Sequence, residues 1–111
     1  MVNITTFIEV ALSFPSTELK PHFCRTAFKV IGRRTFATLH EASKTANIVL
    51  SPIDQSVFCL FNTKAIYPVP SKFGLQGYTT FDLNKVPVEL LNYAFLTSYN
   101  DVVQTKAGKH R

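Results

Sequence analysis

Apolar residues recur at helical spacing near the start of the chain. Residues 5–14 carry apolar side chains three and four positions apart, and Thr6 and Glu9 stand at the spacing of a capping box. These features predict a first helix that ends at Pro15, because the residue before a proline disfavours helical backbone.

Two further helices are predicted from the residues that would begin them. Ser51 can cap a helix that continues to Asn62, and Pro52 suits its first turn. The residues predicted to face the core from this helix are Val57, Phe58 and Phe61. Pro87 opens the last helix, in which small and apolar residues recur at three- and four-residue intervals, namely Leu91, Ala94, Phe95, Ser98 and Val102.

Extended segments lie between these helices. Strands are predicted for residues 23–31, 35–40, 46–50, 65–69 and 78–83. Phe28 and Val30 share one face of the first strand, and Gly32-Arg33 predicts a type II′ turn that joins it to the second strand as a hairpin. The element order favours an α+β fold, in which an antiparallel β-sheet of about five strands has helices packed on one face.

A loop with two glycines, residues 68–78, leads directly into the last predicted strand, which it overlaps at Tyr78. Gly74 and Gly77 allow the backbone a positive φ or a close approach to a neighbouring segment. Tyr78, Thr80 and Asp82 then alternate with the residues between them, as expected for a strand with two different faces.

The length of 111 residues predicts one domain, and the charge is unevenly distributed along it. The formal net charge is +5, yet residues 1–103 hold nine Lys or Arg against seven Asp or Glu, a net charge of +2. We therefore expect a single domain over residues 1–103 and a basic, flexible tail over residues 104–111. The overall charge alone is weak evidence for a polyanionic partner.

The cysteines and the hydropathy pattern predict a cytoplasmic protein. Cys24 and Cys59 are too far apart for a Cys-x-x-Cys motif, and we expect both to be reduced thiols that pack in the interior. The apolar stretch from Phe7 to Phe14 contains Glu9 and lacks the features of an export signal. No run of 18 apolar residues is present, so no membrane span is expected.

The basic residues within the predicted domain are densest in the hairpin. Arg25 and Lys29 would share the strand face opposite Phe28, and Arg33 and Arg34 stand at or beside the turn. Such a hairpin could lay its cations along the phosphates of DNA or enter a groove. The alternative is a solvated strand face whose charges keep the sheet from aggregating.

A second candidate site surrounds the two glycines. Lys72, Phe73, Gln76 and Tyr78 could present a cation and aromatic rings to a base, a small ligand or a protein partner. Alternatively, Phe73 and Tyr78 belong to the core at the edge of the sheet. The sequence leaves the oligomeric state open.

No residue pattern supports catalysis, a cofactor or a metal. His22 and Cys24 would lie on one face of an extended segment, but no third group completes a nucleophilic site. The histidines and cysteines lack the spacing of metal ligands. We therefore expect a non-enzymatic protein without a cofactor, in which Tyr99 of the last helix anchors that helix by a hydrogen bond to the sheet.

Several short motifs, in this order and spacing, resemble the MmcQ/YjbR family. They are Ala11–Pro15, Lys20–Phe23, the hairpin Phe28–Ala37, Leu50–Pro52, Gly77–Leu83, Ser98-Tyr99 and Val102-Val103. The resemblance implies a compact CyaY-like α+β fold related to frataxin, and a DNA-binding role through a hairpin. Where the family usually has Trp this chain has Tyr78, and one branch has Asn-Lys-x-His-Trp where this chain reads Gly-Leu-Gln-Gly-Tyr. The iron-binding role of frataxins is not implied, because the acidic residues of this chain are dispersed.

Overall fold

The computed structural model describes residues 2–22 and 25–104, which form four helices and six strands. The helices are α1 (Ile4–Leu12), α2 (Pro52–Cys59), α3 (Lys72–Leu75) and α4 (Val88–Gln104). The strands are β1 (Thr17–His22), β2 (Arg25–Val30), β3 (Thr35–His40), β4 (Thr45–Val49), β5 (Ile66–Pro68) and β6 (Tyr78–Asp82). Gln104, predicted to start the tail, ends α4, and the rest of that tail lies outside the described residues.

The strands form one antiparallel sheet in the order β1-β2-β3-β4-β6-β5. The predicted α+β class is confirmed, and the sheet has one strand more than expected. The additional strand, β1, reads Thr-Glu-Leu-Lys-Pro-His, a polar sequence with an internal proline. Such a sequence is tolerated at a sheet edge, where charges and proline also discourage further pairing, so hydrophobic alternation could not reveal it.

The helices bury one face of the sheet. Phe28 of β2 meets Phe7 of α1 with ring centroids 5.7 Å apart, and Phe81 of β6 meets Phe58 of α2 at 6.1 Å. Between them, α4 contributes Phe95, which lies 4.8 Å from Phe7. Since β2 and β6 alternate as predicted, their other residues point away from this core.

Strand β3 contains a bulge at Phe36, and a side chain of α4 hydrogen-bonds the carbonyl of that residue. Phe28 pairs with Ala37 and Lys29 with Thr35, so Phe36 is skipped in the β2–β3 register. The buried Ser98 hydroxyl donates to the Phe36 carbonyl at 3.2 Å. Because a buried carbonyl without a donor costs free energy, this hydrogen bond fixes α4 on the sheet.

The predicted role of Tyr99 is therefore corrected in detail. Its hydroxyl donates to the carbonyl of Pro15, in the segment after α1, at 2.8 Å, and its ring stacks on Phe14 with centroids 4.7 Å apart. The helix is anchored as expected, but Ser98 makes the hydrogen bond to the sheet and Tyr99 joins α4 to the end of α1.

The β2–β3 turn is longer than predicted. Residues 31–34 connect the two strands, and the Arg33 amide donates to the Val30 carbonyl at 2.8 Å, which closes a four-residue turn from Val30 to Arg33. Gly32, with φ +79°, is the third residue of this four-residue turn. That position requires a positive φ in a type II turn, whereas the predicted type II′ turn places glycine second.

The helix ends show one wrong prediction and one confirmed prediction. Asn3 caps α1, accepting a hydrogen bond from the Thr6 amide at 2.7 Å, so Thr6 is not the cap. Ser51 caps α2 as predicted, with Pro52 in the first turn.

The predicted inward face of α2 is also partly wrong. Phe58 is buried, but Val57 and Phe61 are half or more exposed. Since α2 lies above the short edge strand β5, the sheet beneath it is narrow and covers one side of the helix only.

Candidate functional site

The face of the sheet opposite the helices is lined by small and polar residues. Strand register aligns one row across all six strands: Lys20, Ala27, Thr38, Asn47, Thr80 and Tyr67. None of these side chains is a large aliphatic group, so this face lacks the packing that would recruit another helix. We call it the open face.

A pocket of about 330 Å³ lies on the open face. Strands β2, β3, β4 and β6 form its floor, and the segment between β5 and β6 forms one wall. It is lined by Arg25, Ala27, Thr35, Thr38, Asn47, Val69, Phe73 and Tyr78. The fold thus brings Arg25 from the predicted basic hairpin together with Phe73 and Tyr78 from the two-glycine loop.

Phe73 and Tyr78 form the aromatic wall of the pocket. Their ring centroids are 5.9 Å apart with an angle of 74° between the planes, an edge-to-face contact. Phe73 is 51% exposed and Tyr78 is half-buried, so Phe73 is not a core residue. Lys72 and Gln76, predicted for the same site, are exposed beside it and do not line the pocket.

Backbone packing holds this wall in place. Phe73 belongs to α3, a single turn in which the Phe73 amide donates to Ser71 Oγ at 3.1 Å. A Cβ at Gly74 would overlap the carbonyl oxygen of Val69, and a Cβ at Gly77 would overlap that of Leu50. The predicted close approach at both glycines is confirmed, and it explains why this loop lies tightly against its neighbours.

Gln55 of α2 ties the same loop to the core. Its Nε2 donates to the Gly74 carbonyl and to Thr79 Oγ1, both at 3.0 Å. One side chain therefore joins α2, α3 and β6 beneath the aromatic wall. Sequence reasoning missed Gln55, because a single glutamine on a predicted helix carries no distinguishing signal.

The opposite wall of the pocket is polar and carries one positive charge. Arg25 Nη1 donates to Thr38 Oγ1 at 3.4 Å, which directs the guanidinium along the open face. Asn47 Oδ1 accepts from Thr80 Oγ1 at 2.8 Å, so its Nδ2 is the end of the amide that can donate. A guanidinium, hydroxyls and an amide thus face an aromatic wall across one small volume.

The four predicted hairpin cations do not point the same way. Arg25 and Lys29 share the open face, as strand alternation predicts, and Lys29 lies opposite Glu18 of β1. Arg34 instead pairs with Asp101 of α4, with Nη2 and Oδ2 3.4 Å apart. Arg33 is partly buried and also has a partner, so the four cations do not form one free cationic strip.

The remaining candidate residues bring together no further site. Cys24 lies outside the described residues, as does the His22 side chain, so the predicted pair is not placed. Cys59 is a free, half-buried thiol, and burial raises its pKa. Within the described ranges no three His, Cys, Asp or Glu residues converge as metal ligands, and none of the four helices is long and apolar enough to cross a membrane.

The fold is similar to that of a protein of known structure, Deinococcus radiodurans DR2400, which is described as having a DUF419 domain. The two agree with a TM-score of 0.81 over 94% of this chain and 80% of that chain, at 20% sequence identity. No family model and no curated protein matches the sequence. At this identity the similarity establishes the α+β fold that the two chains share and leaves the family resemblance a prediction.

Proposed function

We propose that this protein is a non-enzymatic binding module whose open-face pocket takes one nucleotide unit. The observation that supports this is the meeting of Arg25 with Phe73 and Tyr78 in a single pocket. The base would lie against the aromatic wall, and the phosphate would bind the guanidinium. Both contacts are common in proteins that bind nucleotides and single strands.

The size and the polar groups of the pocket suit this ligand. A volume of about 330 Å³ is at the lower end of the range for small-molecule pockets, which is enough for a base and part of its sugar. Thr38 and Asn47 lie between the aromatic wall and Arg25, where they can hydrogen-bond the edge of a base. An apolar ligand without an anion would leave Arg25 without a counter-charge.

The nucleotide can be free or part of a DNA strand. Lys29 lies on the same sheet face as Arg25, so a strand leaving the pocket would pass over a second cation. Lys20 also lies on this face, but it pairs with Glu18 at 3.9 Å. A base stacked on Phe73 must be unpaired, which favours single-stranded over duplex DNA. The predicted use of all four hairpin cations on duplex DNA is less well supported, because Arg34 already pairs with Asp101.

The resemblance to the MmcQ/YjbR family supports the same proposal. The motifs that carry it include the hairpin Phe28–Ala37, which contains three of the four hairpin cations, and the stretch Gly77–Leu83, which contains Tyr78. We infer membership of that family and a cytoplasmic location, where nucleotides and DNA are both accessible.

The test measures binding of three probes: a mononucleotide, a single-stranded 12-nucleotide DNA (a length of about 12 suits one small domain) and its duplex. Phe73→Ala is expected to weaken the first two by roughly 5- to 150-fold, the range for loss of one stacked base. Leu75→Ala is the matched control, since Leu75 is on the same helix, exposed and outside the pocket. Arg25→Gln should weaken binding by about 10-fold or more, and Lys64→Gln, an exposed cation after α2, should not.

The outcomes separate the alternatives. Preference for the duplex, with a salt slope of about −3 and loss of binding in an Arg33→Glu/Arg34→Glu double variant, would favour the hairpin hypothesis. No binding of any probe, together with Phe73→Ala disrupting a complex with another protein, would favour a protein-interaction module. Unaltered binding in both Phe73→Ala and Arg25→Gln would refute the pocket as the site.

A further inference from the structure

Helix α2 exposes a continuous apolar surface on the side away from the sheet. Leu60 is 82% exposed and Ile53 is 76% exposed, and Val57 and Phe61 are half or more exposed. Ile53 and Val57 are four positions apart and share one side of α2. Leu60 and Phe61 follow in the turn that ends the helix and continue the same surface. We call this surface the α2 patch.

Tyr93 of α4 extends the patch. Its ring lies against Phe58 of α2, with centroids 5.6 Å apart, and is otherwise exposed. Applied to side chains of ordinary size, the exposed fractions of these five residues amount to roughly 500 Å². An apolar patch of this extent is near the upper end of the range of about 300 to 600 Å² for the largest patch on a monomer, and two copies would together bury roughly 1,000 Å², about the lower limit for a specific interface.

The charge pattern indicates what covers the patch. Helix α2 contains no Lys or Arg, although the chain has 12 such residues and a net charge of +5. Its acidic residue, Asp54, is in the first turn, where Oδ2 accepts from Ser51 Oγ at 2.9 Å. In a two-fold dimer each patch packs against the same patch of the other copy. Because the α2 patch carries no Lys or Arg, two chains with a positive net charge can meet there without repulsion between like charges in the interface.

We propose that a second copy of this chain packs on the α2 patch to form a two-fold symmetric dimer. An axis passing near Val57 would bring Ile53 of one copy against Leu60 and Phe61 of the other. Because α2 covers the face of the sheet opposite the pocket, both pockets stay open in this dimer. This inference does not depend on what the pocket binds.

Sedimentation velocity from about 2 to about 200 μM tests the proposal, because this range covers the micromolar dissociation constants, about 10 μM, expected of a dimer at the small end of the interface range. Leu60→Lys places two ammonium groups within the interface and should weaken the dimer by about 30-fold or more. Leu75→Lys is the matched control, since Leu75 is 86% exposed and lies outside the patch. It should dimerise like the unsubstituted chain.

Circular dichroism would show that both variants stay folded, as expected for substitutions at exposed positions. A chain that remains monomeric over the whole concentration range overturns the proposal. Equal dimerisation of the unsubstituted, Leu60→Lys and Leu75→Lys chains also overturns it, because the interface would then lie elsewhere.

Discussion

The tight packing of the two-glycine loop makes Gly77→Ala the most informative substitution for stability. Gly77 has a φ of +105°, which strains any residue with a Cβ. A Cβ there would also overlap the carbonyl oxygen of Leu50, and the Leu50 amide donates to the Gly77 carbonyl at 2.9 Å. Relieving the overlap must therefore move two backbone segments apart and break that hydrogen bond.

Three contributions set the size of the effect. Left-handed backbone costs a residue with a Cβ about 1 to 2 kcal/mol. Loss of the hydrogen bond between Leu50 and Gly77 adds about 1 kcal/mol, and overpacking typically adds about 1 to 3 kcal/mol. We expect Gly77→Ala to lower the free energy of unfolding by about 4 kcal/mol, a large part of the 5 to 15 kcal/mol that is usual for a domain.

Gly32→Ala is the matched control. Gly32 also has a positive φ, +79°, but nothing lies within 4 Å of the position its Cβ would take. Its substitution should cost only the strain, about 1 to 2 kcal/mol. At about 4 °C per kcal/mol for a chain of this length, the melting temperature should fall by about 15 °C for Gly77→Ala and by about 4 to 8 °C for Gly32→Ala.

Urea titration followed by circular dichroism suits this comparison, because the chain has no tryptophan. Calorimetry gives the melting temperatures. Equal destabilisation by the two substitutions would refute the reasoning, since the close approach to Leu50 would then contribute nothing beyond the strain shared by both sites.

Three further measurements test the core and the free thiol. Phe95→Ala should lower the free energy of unfolding by about 3 to 5 kcal/mol in urea titration, because Phe95 is fully buried among other rings. Phe73→Ala should lower it by under about 1 kcal/mol, because Phe73 is half-exposed. Ser98→Ala leaves the Phe36 carbonyl without its donor and should cost about 1 to 3 kcal/mol; an unchanged unfolding midpoint would contradict the role given to that hydrogen bond. Burial raises the pKa of Cys59, so its thiol should be alkylated more slowly in the folded than in the unfolded chain when followed by peptide mass spectrometry. Because the folded pKa is the higher one, the stability linked to this thiol is fully present below its unfolded pKa and is lost as pH rises through the folded pKa.

The sequence predicts best those elements that alternation and capping specify strongly. Strands β2 and β6 alternate between buried and partly exposed residues as expected, and Ser51 begins α2 as expected. The missed strand β1 is polar because it is an edge, so its position depends on pairing with β2 and not on its own hydrophobicity.

The candidate site could be predicted only in parts. Arg25 and Phe73 were both identified from local features, one from a basic hairpin and the other from a glycine loop. Their meeting in one pocket depends on the sheet order, in which β6 inserts beside β4, and on α1, α2 and α4 all packing on the other face of the sheet. Strand order is a long-range property that residue periodicity does not encode.

The misassigned face of α2 has the same origin. Periodicity identifies an apolar side of a helix, but it does not say whether the domain is wide enough to cover that side. Val57 and Phe61 were expected to face the core, yet the sheet beneath α2 narrows to a three-residue strand. Apolar residues beyond that width remain available to another molecule.

Both outer strands of the sheet are poor templates for additional chains. Pro21 lies within β1 and Pro68 ends β5, and a proline offers no amide hydrogen to an incoming strand. Amyloid-like growth by adding neighbours at either margin is thereby discouraged, even though the chain is rich in phenylalanine. Contacts between copies of this chain must therefore be made by side chains. Single substitutions can change the affinity of such contacts without altering the hydrogen bonds of the sheet.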